Sequence, residues 1–189
     1  MQVYNNIHKY NLKITPSPAQ ISTIYYGTYS SHVGPLIFFS TKNELCGLHI
    51  LKLSIHEHLN IVKKKFKNIK FVKSSTIVQQ WANNIFSQKV PTNILLLGTS
   101  FQLSVWKSLL EIPVGKTVTY KDVAASIGKP SSFRATANAI GQNPICYLIP
   151  CHRVISSNGT IGGFRWGIEY KEKILQTESL FMQNNPLKY

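Results

Sequence analysis

Pro150, Cys151, His152 and Arg153 stand consecutively in the chain. A thiol attacks as its thiolate, which nearby cations favour, so a Cys beside His and Arg is a candidate for covalent nucleophilic chemistry. The proline fixes the backbone ahead of the Cys and places it on a turn at the end of an apolar run, Ile145–Ile149, that reads as a short strand. Single cysteines are more often small buried hydrophobes. Neighbours on a strand also point to opposite faces, so joining this Cys to this His takes a bend or a bridging water. The C-terminal segment holds a second hint. At about 100° per residue from Ile168, the side chains of Ile174, Leu175, Phe181 and Met182 share one helix face, with Lys171 and Glu178 near its centre. Charges aimed at a core are costly unless paired. Either these two form an ion pair, mutual or reaching solvent at a frayed end, or Glu178 accepts a hydrogen bond from a catalytic His and orients its ring.

The elements that must position these groups begin near residue 99. Ser100 starts a helix carrying Val105, Trp106, Leu109 and Leu110 and stopped by Pro113. Thr119 and Asp122 form a capping-box-like start for a helix over Tyr120–Ile127, which Gly128-Lys129-Pro130 ends. Ser131 or Ser132 caps a third, Phe133–Ile140, rich in alanine. Two short helices across a tight glycine-containing turn make a helix-turn-helix candidate, although most such pairs are plain core packing. The texture before residue 99 differs. Residues 1–20 read as a poorly ordered lead-in or an edge strand. Ile21–Ile50 is β-rich, with a turn at Thr41-Lys42-Asn43; helices follow over Ser54–Phe66 and Ser75–Phe86, with strands over Ile69–Val72 and Asn93–Leu97. The expected organisation is α+β: a small N-terminal α+β domain over 1–98 and a mostly helical domain over 99–189.

Composition sets the partners and the compartment. With 43% hydrophobic and 15% charged residues in 189, the chain is a folded protein rather than a disordered one. Its 21 Lys and Arg against seven Asp and Glu give +14, which points to a polyanion, nucleic acid first and a membrane surface second. Only three of the basic residues are arginines, Arg134, Arg153 and Arg165, all within one 32-residue window. Cys46, Cys146 and Cys151 are an odd number without CxxC spacing, no signal peptide is evident, and no apolar run is long enough to span a bilayer. A reducing cytoplasmic or nuclear setting and no membrane are expected. Cys46, His49, His56 and His58 fit no usual zinc spacing, so no metal and no cofactor is expected.

The blocks Pro113–Tyr120 (PVGKTVTY), Phe133–Ala139 (FRATANA) and Gly141–Gly167, with GQNP, IPCHRV and GFRWG, resemble the methylated-DNA–protein-cysteine methyltransferases, the O6-alkylguanine-DNA alkyltransferases. The resemblance runs from Phe101 to Glu178; residues 1–98 match that family's N-terminal domain, a ribonuclease H-like fold, in outline only. It implies a DNA repair protein in which Cys151 takes the alkyl group from O6-alkylguanine irreversibly, once per molecule. His152 would take the thiol proton through a water, with Glu178 polarising it. Tyr120 would donate towards guanine N3, and Asn143 would tie the helix-turn-helix to the active-site turn. Arg134 would fill the space of a flipped nucleotide, with Ala135, Lys129 and Ser132 on the same DNA-binding surface. Tyr120, Val154, Phe164, Arg165 and Trp166 would line the substrate pocket. The implied partner is double-stranded DNA, bound through the minor groove with base flipping by a monomer. Small side chains suit close approach to that narrow groove, and an O6 substituent inside a stacked pair cannot reach a protein thiol without extrusion.

Departures from the family pattern have consequences. Phe164 stands where Tyr is common, and Arg165 and Trp166 stand where some relatives carry small residues. The bulk of Trp166 is expected to narrow the pocket in favour of methyl over benzyl-sized groups. Arg165 offers no hydroxyl to guanine O6, leaving its backbone amide. Three cysteines exclude the family's larger form with a Cys-rich zinc domain. The range of alkyl groups, and O4-methylthymine as a substrate, stay open. Two other readings remain: a non-enzymatic lesion-binding protein of the alkyltransferase-like type, which keeps the binding helix but lacks the acceptor and is opposed by Cys151, and a helix-turn-helix regulator, which would favour a dimer with long base-reading side chains.

Overall fold

Between Tyr10 and Ile50 the chain lays down four strands: β1 (Tyr10–Ile14), β2 (Thr23–Ser31), β3 (Gly34–Ser40) and β4 (Leu45–Ile50). The computed structural model describes residues 10–14, 21–87 and 92–184; positions 1–9 and 15–20 of the expected lead-in lie outside them. Strands β2, β3 and β4 form an antiparallel meander. All six residues of β4 are buried, as a continuous apolar run in a sheet covered on both faces requires. A Cβ on Gly47 would stand 3.1 Å from the Phe39 side chain, so glycine is what admits the Phe39 ring. Strand β5 (Lys70–Lys73) joins β2 in parallel, and β6 (Thr92–Leu96) lies parallel to β1 and β4, for a sheet order β1-β6-β4-β3-β2-β5. The edge-strand reading of the N-terminal stretch thus holds for Tyr10–Ile14.

Helix α1 (Ile55–Lys63) begins with a reciprocal capping box between Ser54 and Glu57 and ends sooner than its apolar periodicity suggests. Phe66 is buried beyond that end through a turn, in a cluster with Ile24, Ile37, Phe39, Cys46, Val62, Leu95 and Leu97. Helix α2 (Ser75–Ser87) follows β5. His49 and His58 are buried and meet through their Nδ1 atoms at 3.2 Å, while His56 is exposed and the Cys46 thiol donates to the Phe39 carbonyl. Among the described residues no group of three or more His, Cys, Asp or Glu could hold a metal ion.

The chain divides into two units, Met1–Thr99 and Ser100–Tyr189. In the second, α3 (Ser100–Leu110), α4 (Tyr120–Ser126) and α5 (Phe133–Gly141) pack on one another. The buried Trp106 indole donates from α3 to the Ala139 carbonyl of α5 at 2.8 Å. The Thr119–Asp122 capping box forms as expected, whereas neither serine caps α5: a 3-10 turn, Pro130–Ser132, leads into it and the Ser132 side chain makes no cap bond. Strands β7 (Val118–Thr119) and β8 (Val154–Ile155) pair in parallel, and α6 (Ile168–Asn184) closes the unit. No helix among the described residues is long and apolar enough to cross a membrane.

The strand expected over Ile145–Ile149 does not form. The segment coils into successive turns, with Tyr147 at φ 68° and the Ile149 amide donating back to the Ile145 carbonyl. A polar side chain dictates this. The Asn143 Oδ1 accepts from the Ile145 amide while its Nδ2 donates to the Ile149 carbonyl, occupying two backbone groups that a strand would have paired.

Candidate active site

Cys151 opens a 3-10 turn, Cys151–Arg153, so its side chain and that of His152 are not held on opposite faces of a strand. The thiol borders a cavity of about 260 Å³ whose wall also carries Tyr120, Asn143, Phe164, Arg165 and Trp166. Ala137, Ile140 and Gly141 of α5, together with Gly163, complete the wall. These four small or aliphatic positions were not singled out from sequence, where the alanine-rich helix was the available signal. Val154, expected on the wall, is not among its lining residues. It is fully buried in β8, pairs with Val118 and accepts from the Lys171 Nζ through its carbonyl.

Asn143 reaches the Cys151 sulfur directly. The same Nδ2 that donates to the Ile149 carbonyl lies 3.1 Å from the Cys151 Sγ. Burial pushes the thiol's pKa up, and the opposing influences of the Asn143 amide, the Lys171 charge and the local backbone amides do not overcome it. Nearby cations favour a thiolate, but burial prevails here, so the resting group is a thiol, in keeping with the expectation that a base must take its proton.

The reason lies in where the cations go. Arg153 is turned away into a fork on Glu178, with its Nε 3.0 Å from Oε2 and its Nη2 2.8 Å from Oε1, while its Nη1 donates to the Ile112 carbonyl. Glu178, 1% exposed, also accepts from the His152 Nε2 at 2.9 Å. Burial alone would raise its pKa, but the bonds from His152 and Arg153 outweigh burial and hold the carboxyl at about 2. With Nε2–H committed to Glu178, a neutral His152 carries its lone pair on Nδ1, an atom that is buried and meets no partner among the described residues. Burial keeps the imidazole below its usual pKa despite Glu178, which favours that neutral form. Lys171 and Glu178 do not pair with each other. The Lys171 Nζ donates to the Val154 carbonyl at 2.6 Å and to Gly163 at 3.3 Å, and burial lowers its pKa to about 8, against the opposing pull of Cys151. Lys171, whose part in the site the sequence did not reveal, is therefore the cation that the thiol senses.

Tyr120, the first residue of α4, is half-buried, and burial together with the proximity of Cys151 raises its phenol pKa, keeping it a donor. Gly162, at φ 68°, leaves room for it: a Cβ there would lie 3.3 Å from the phenol oxygen and 2.9 Å from the Ser156 Oγ. Trp166 is almost fully buried, and the exposed Arg165 guanidinium lies over its ring at 4.9 Å. Lys129, Arg134 and Ala135 are exposed, and Ser132 is half-buried ahead of α5.

Residues 100–180 match the family described as 6-O-methylguanine DNA methyltransferase, DNA binding domain. A methylated-DNA–protein-cysteine methyltransferase of Methanosarcina barkeri is 39% identical over 158 residues, covering 82% of this chain and 97% of the relative. The inducible methylated-DNA–protein-cysteine methyltransferase of Bacillus subtilis is 51% identical over 81 residues, 43% of this chain and 45% of its own. Among solved structures, Mycobacterium tuberculosis OGT in complex with DNA superposes with a TM-score of 0.64 at 32% identity, covering 82% of this chain and 93% of that one. By its buried Cys–Asn and His–Glu–Arg arrangement and by its likeness to these proteins over most of its length, the chain belongs to the methylated-DNA–protein-cysteine methyltransferase family.

Proposed function

We infer that the chain repairs DNA by moving the alkyl group of O6-alkylguanine onto its own Cys151. The observation that carries this reading is the thiol itself: it lies on the wall of a cavity, 3.1 Å from the Asn143 amide, with a neutral, Glu178-anchored His152 beside it in the chain. In the step proposed, the His152 Nδ1 takes the thiol proton through a water. The Cys151 sulfur attacks the carbon on O6 in line, a C–S bond forms, the C–O bond breaks, and its electron pair leaves with the guanine. Tyr120 acts as general acid towards guanine N3 as that charge develops. Lys171 and Asn143 stabilise the thiolate as it forms. The product is a neutral thioether. A thioether carbon has only a poor thiolate leaving group, so thiol exchange does not regenerate Cys151, and each molecule acts once. An alkyltransferase-like binding protein would lack the acceptor that this cavity contains.

In this reading the Ser100–Tyr189 unit is the DNA-binding and alkyltransferase domain, with α4 and α5 as its helix-turn-helix. Helix α5 lies in the minor groove, where exposed Ala135 permits close approach, Lys129 meets phosphate beside Ser132, and Arg134 occupies the space of the extruded nucleotide. One monomer serves one lesion. The Met1–Thr99 unit is read as ribonuclease H-like, which the β4-β3-β2-β5 order of a meander followed by a parallel crossover supports; β6 departs by joining the opposite edge. The test is the rate of methyl transfer from an O6-methylguanine duplex. Cys151→Ala abolishes transfer, and Tyr120→Phe slows it about 100-fold, as loss of a general acid does. A drug filling the minor groove at the lesion blocks the reaction; unimpeded transfer with the drug in place would exclude the minor-groove approach.

A further inference from the structure

Helix α5 exposes small groups along most of its length, Ala135, Asn138 and Gly141, but at its first position it carries Phe133, one of five exposed large apolar side chains among the described residues, at 37%. Burial does not account for it. The ring is not bare, however: the Lys121 Nζ lies 6.0 Å and the Arg134 Cζ 5.8 Å from its centroid, so two cations, one from α4 and one from α5, lie near an exposed aromatic. An aromatic interleaved with basic side chains suits contact with nucleic acid, where the cations meet phosphate and the ring meets bases.

Its position along the helix is more specific. Ala137, Ile140 and Gly141 line the cavity that holds Cys151. At about 100° per residue, Phe133 lies within about 35° of the centre of that stripe, and Arg134 about twice as far from it. At about 1.5 Å per residue, the ring stands roughly 10 Å from the cavity end of the helix, next to Arg134 in the chain. The stripe that leads into the reaction cavity therefore begins at Phe133.

We propose that Phe133 is a second wedge: when a lesion enters the cavity, its ring packs against the base step beside the vacated position while Arg134 occupies the vacancy, so that specificity for lesions in duplex DNA depends on both. This rests on the base-extrusion reading above. Minor-groove proteins that unstack a step commonly do so with an apolar side chain such as Phe or Leu.

The test compares two substrates for the full chain, an O6-methylguanine duplex and free O6-methylguanine base, and reports the ratio of the two transfer rates. Free base needs no extrusion, so the ratio isolates the duplex step from the chemistry. Phe133→Ala is expected to lower the ratio about tenfold, the low end of what one base–aromatic contact supplies. It also loses the fluorescence rise of a 2-aminopurine placed beside the lesion. Phe133→Leu, which keeps apolar bulk, restores most of the ratio. An unchanged ratio in Phe133→Ala, or a Leu variant as impaired as the Ala one, would overturn the wedge. A wild-type protein that takes methyl from neither substrate would instead count against the proposed function itself.

Discussion

A carboxylate at about pKa 2 and an imidazole kept neutral by burial both make the reactive turn sensitive to acid. Both groups have folded pKa values below their unfolded ones, so each contributes stability above its unfolded pKa and loses it as the pH falls. Stability is expected to decline from about pH 6.5 as unfolded His152 gains its proton, and more steeply from about pH 4.5 towards 2, over which the Glu178 contribution of up to about 3 kcal/mol is lost. Urea denaturation at several pH values checks this, and Glu178→Gln is expected to remove the lower phase. That substitution leaves Arg153 buried without its charge partner, which costs about 3–5 kcal/mol. Lys171 acts on the thiol rather than on Glu178. Replacing it by Met is expected to raise the Cys151 pKa and to shift the alkaline-rising limb of the rate profile upward by about one unit, slowing transfer about tenfold near neutrality. The residues that sequence reading located best were those whose chemistry needs a particular atom: Cys151, His152, Glu178, Asn143 and Tyr120 all fall at or behind the cavity. It located Lys171 on the right helix face but could not choose its partner, because periodicity gives a direction and not the carbonyls waiting there.

Elements set the shape of the pocket. The turn that replaced the expected strand over 145–149 follows from Asn143, whose side chain occupies backbone groups a strand would use. Apolar composition alone could not distinguish the two, since both bury the same side chains. The family resemblance put Val154 on the wall, whereas it pairs with Val118 in β8, is buried and does not line the cavity. Gly162 shows how tightly the surroundings of the Tyr120 phenol are set. Its left-handed backbone and a Cβ 2.9 Å from the Ser156 Oγ mean that Gly162→Ala is expected to cost about 1–2 kcal/mol and to displace the Tyr120 phenol, lowering the transfer rate in the same variant. Trp166, 2% exposed and under Arg165, is a fixed part of the wall, so O6-methylguanine is expected to react at least about tenfold faster than O6-benzylguanine in matched duplexes. Equal rates would show that this wall yields. The start of α4 was legible from the Thr119–Asp122 capping box, and that of α1 from its apolar periodicity. The start of α5 was less so, because a 3-10 turn led into it without a side-chain cap.

Charge belongs to the whole molecule. Of the net +14, the first 98 residues carry +9 and the remainder +5, so the unit with the reactive thiol is the less basic one. Lys63, Lys64, Lys65, Lys67, Lys70 and Lys73 are all exposed, around the end of α1 and along β5. Such a face steers a polyanion over a range set by the Debye length. Replacing Lys63, Lys64, Lys67 and Lys70 with Gln is expected to slow association with duplex DNA at low salt, to lose that effect near 0.5 M salt, and to leave transfer from free base unchanged. Global charge thus suggests nucleic acid without indicating where it binds, whereas the three arginines fall on α5, on the Cys151 turn and on the cavity wall. The account as a whole stands on irreversible alkylation of one residue, and the intact mass of the protein after mixing with an excess of O6-methylguanine duplex tests it most directly. Each chain is expected to exchange one hydrogen for one methyl, mapped by digestion to the peptide holding Cys151, with no further gain over time and none in Cys151→Ala. An unchanged mass despite duplex binding, or a methyl found on Cys46 or Cys146, would contradict it.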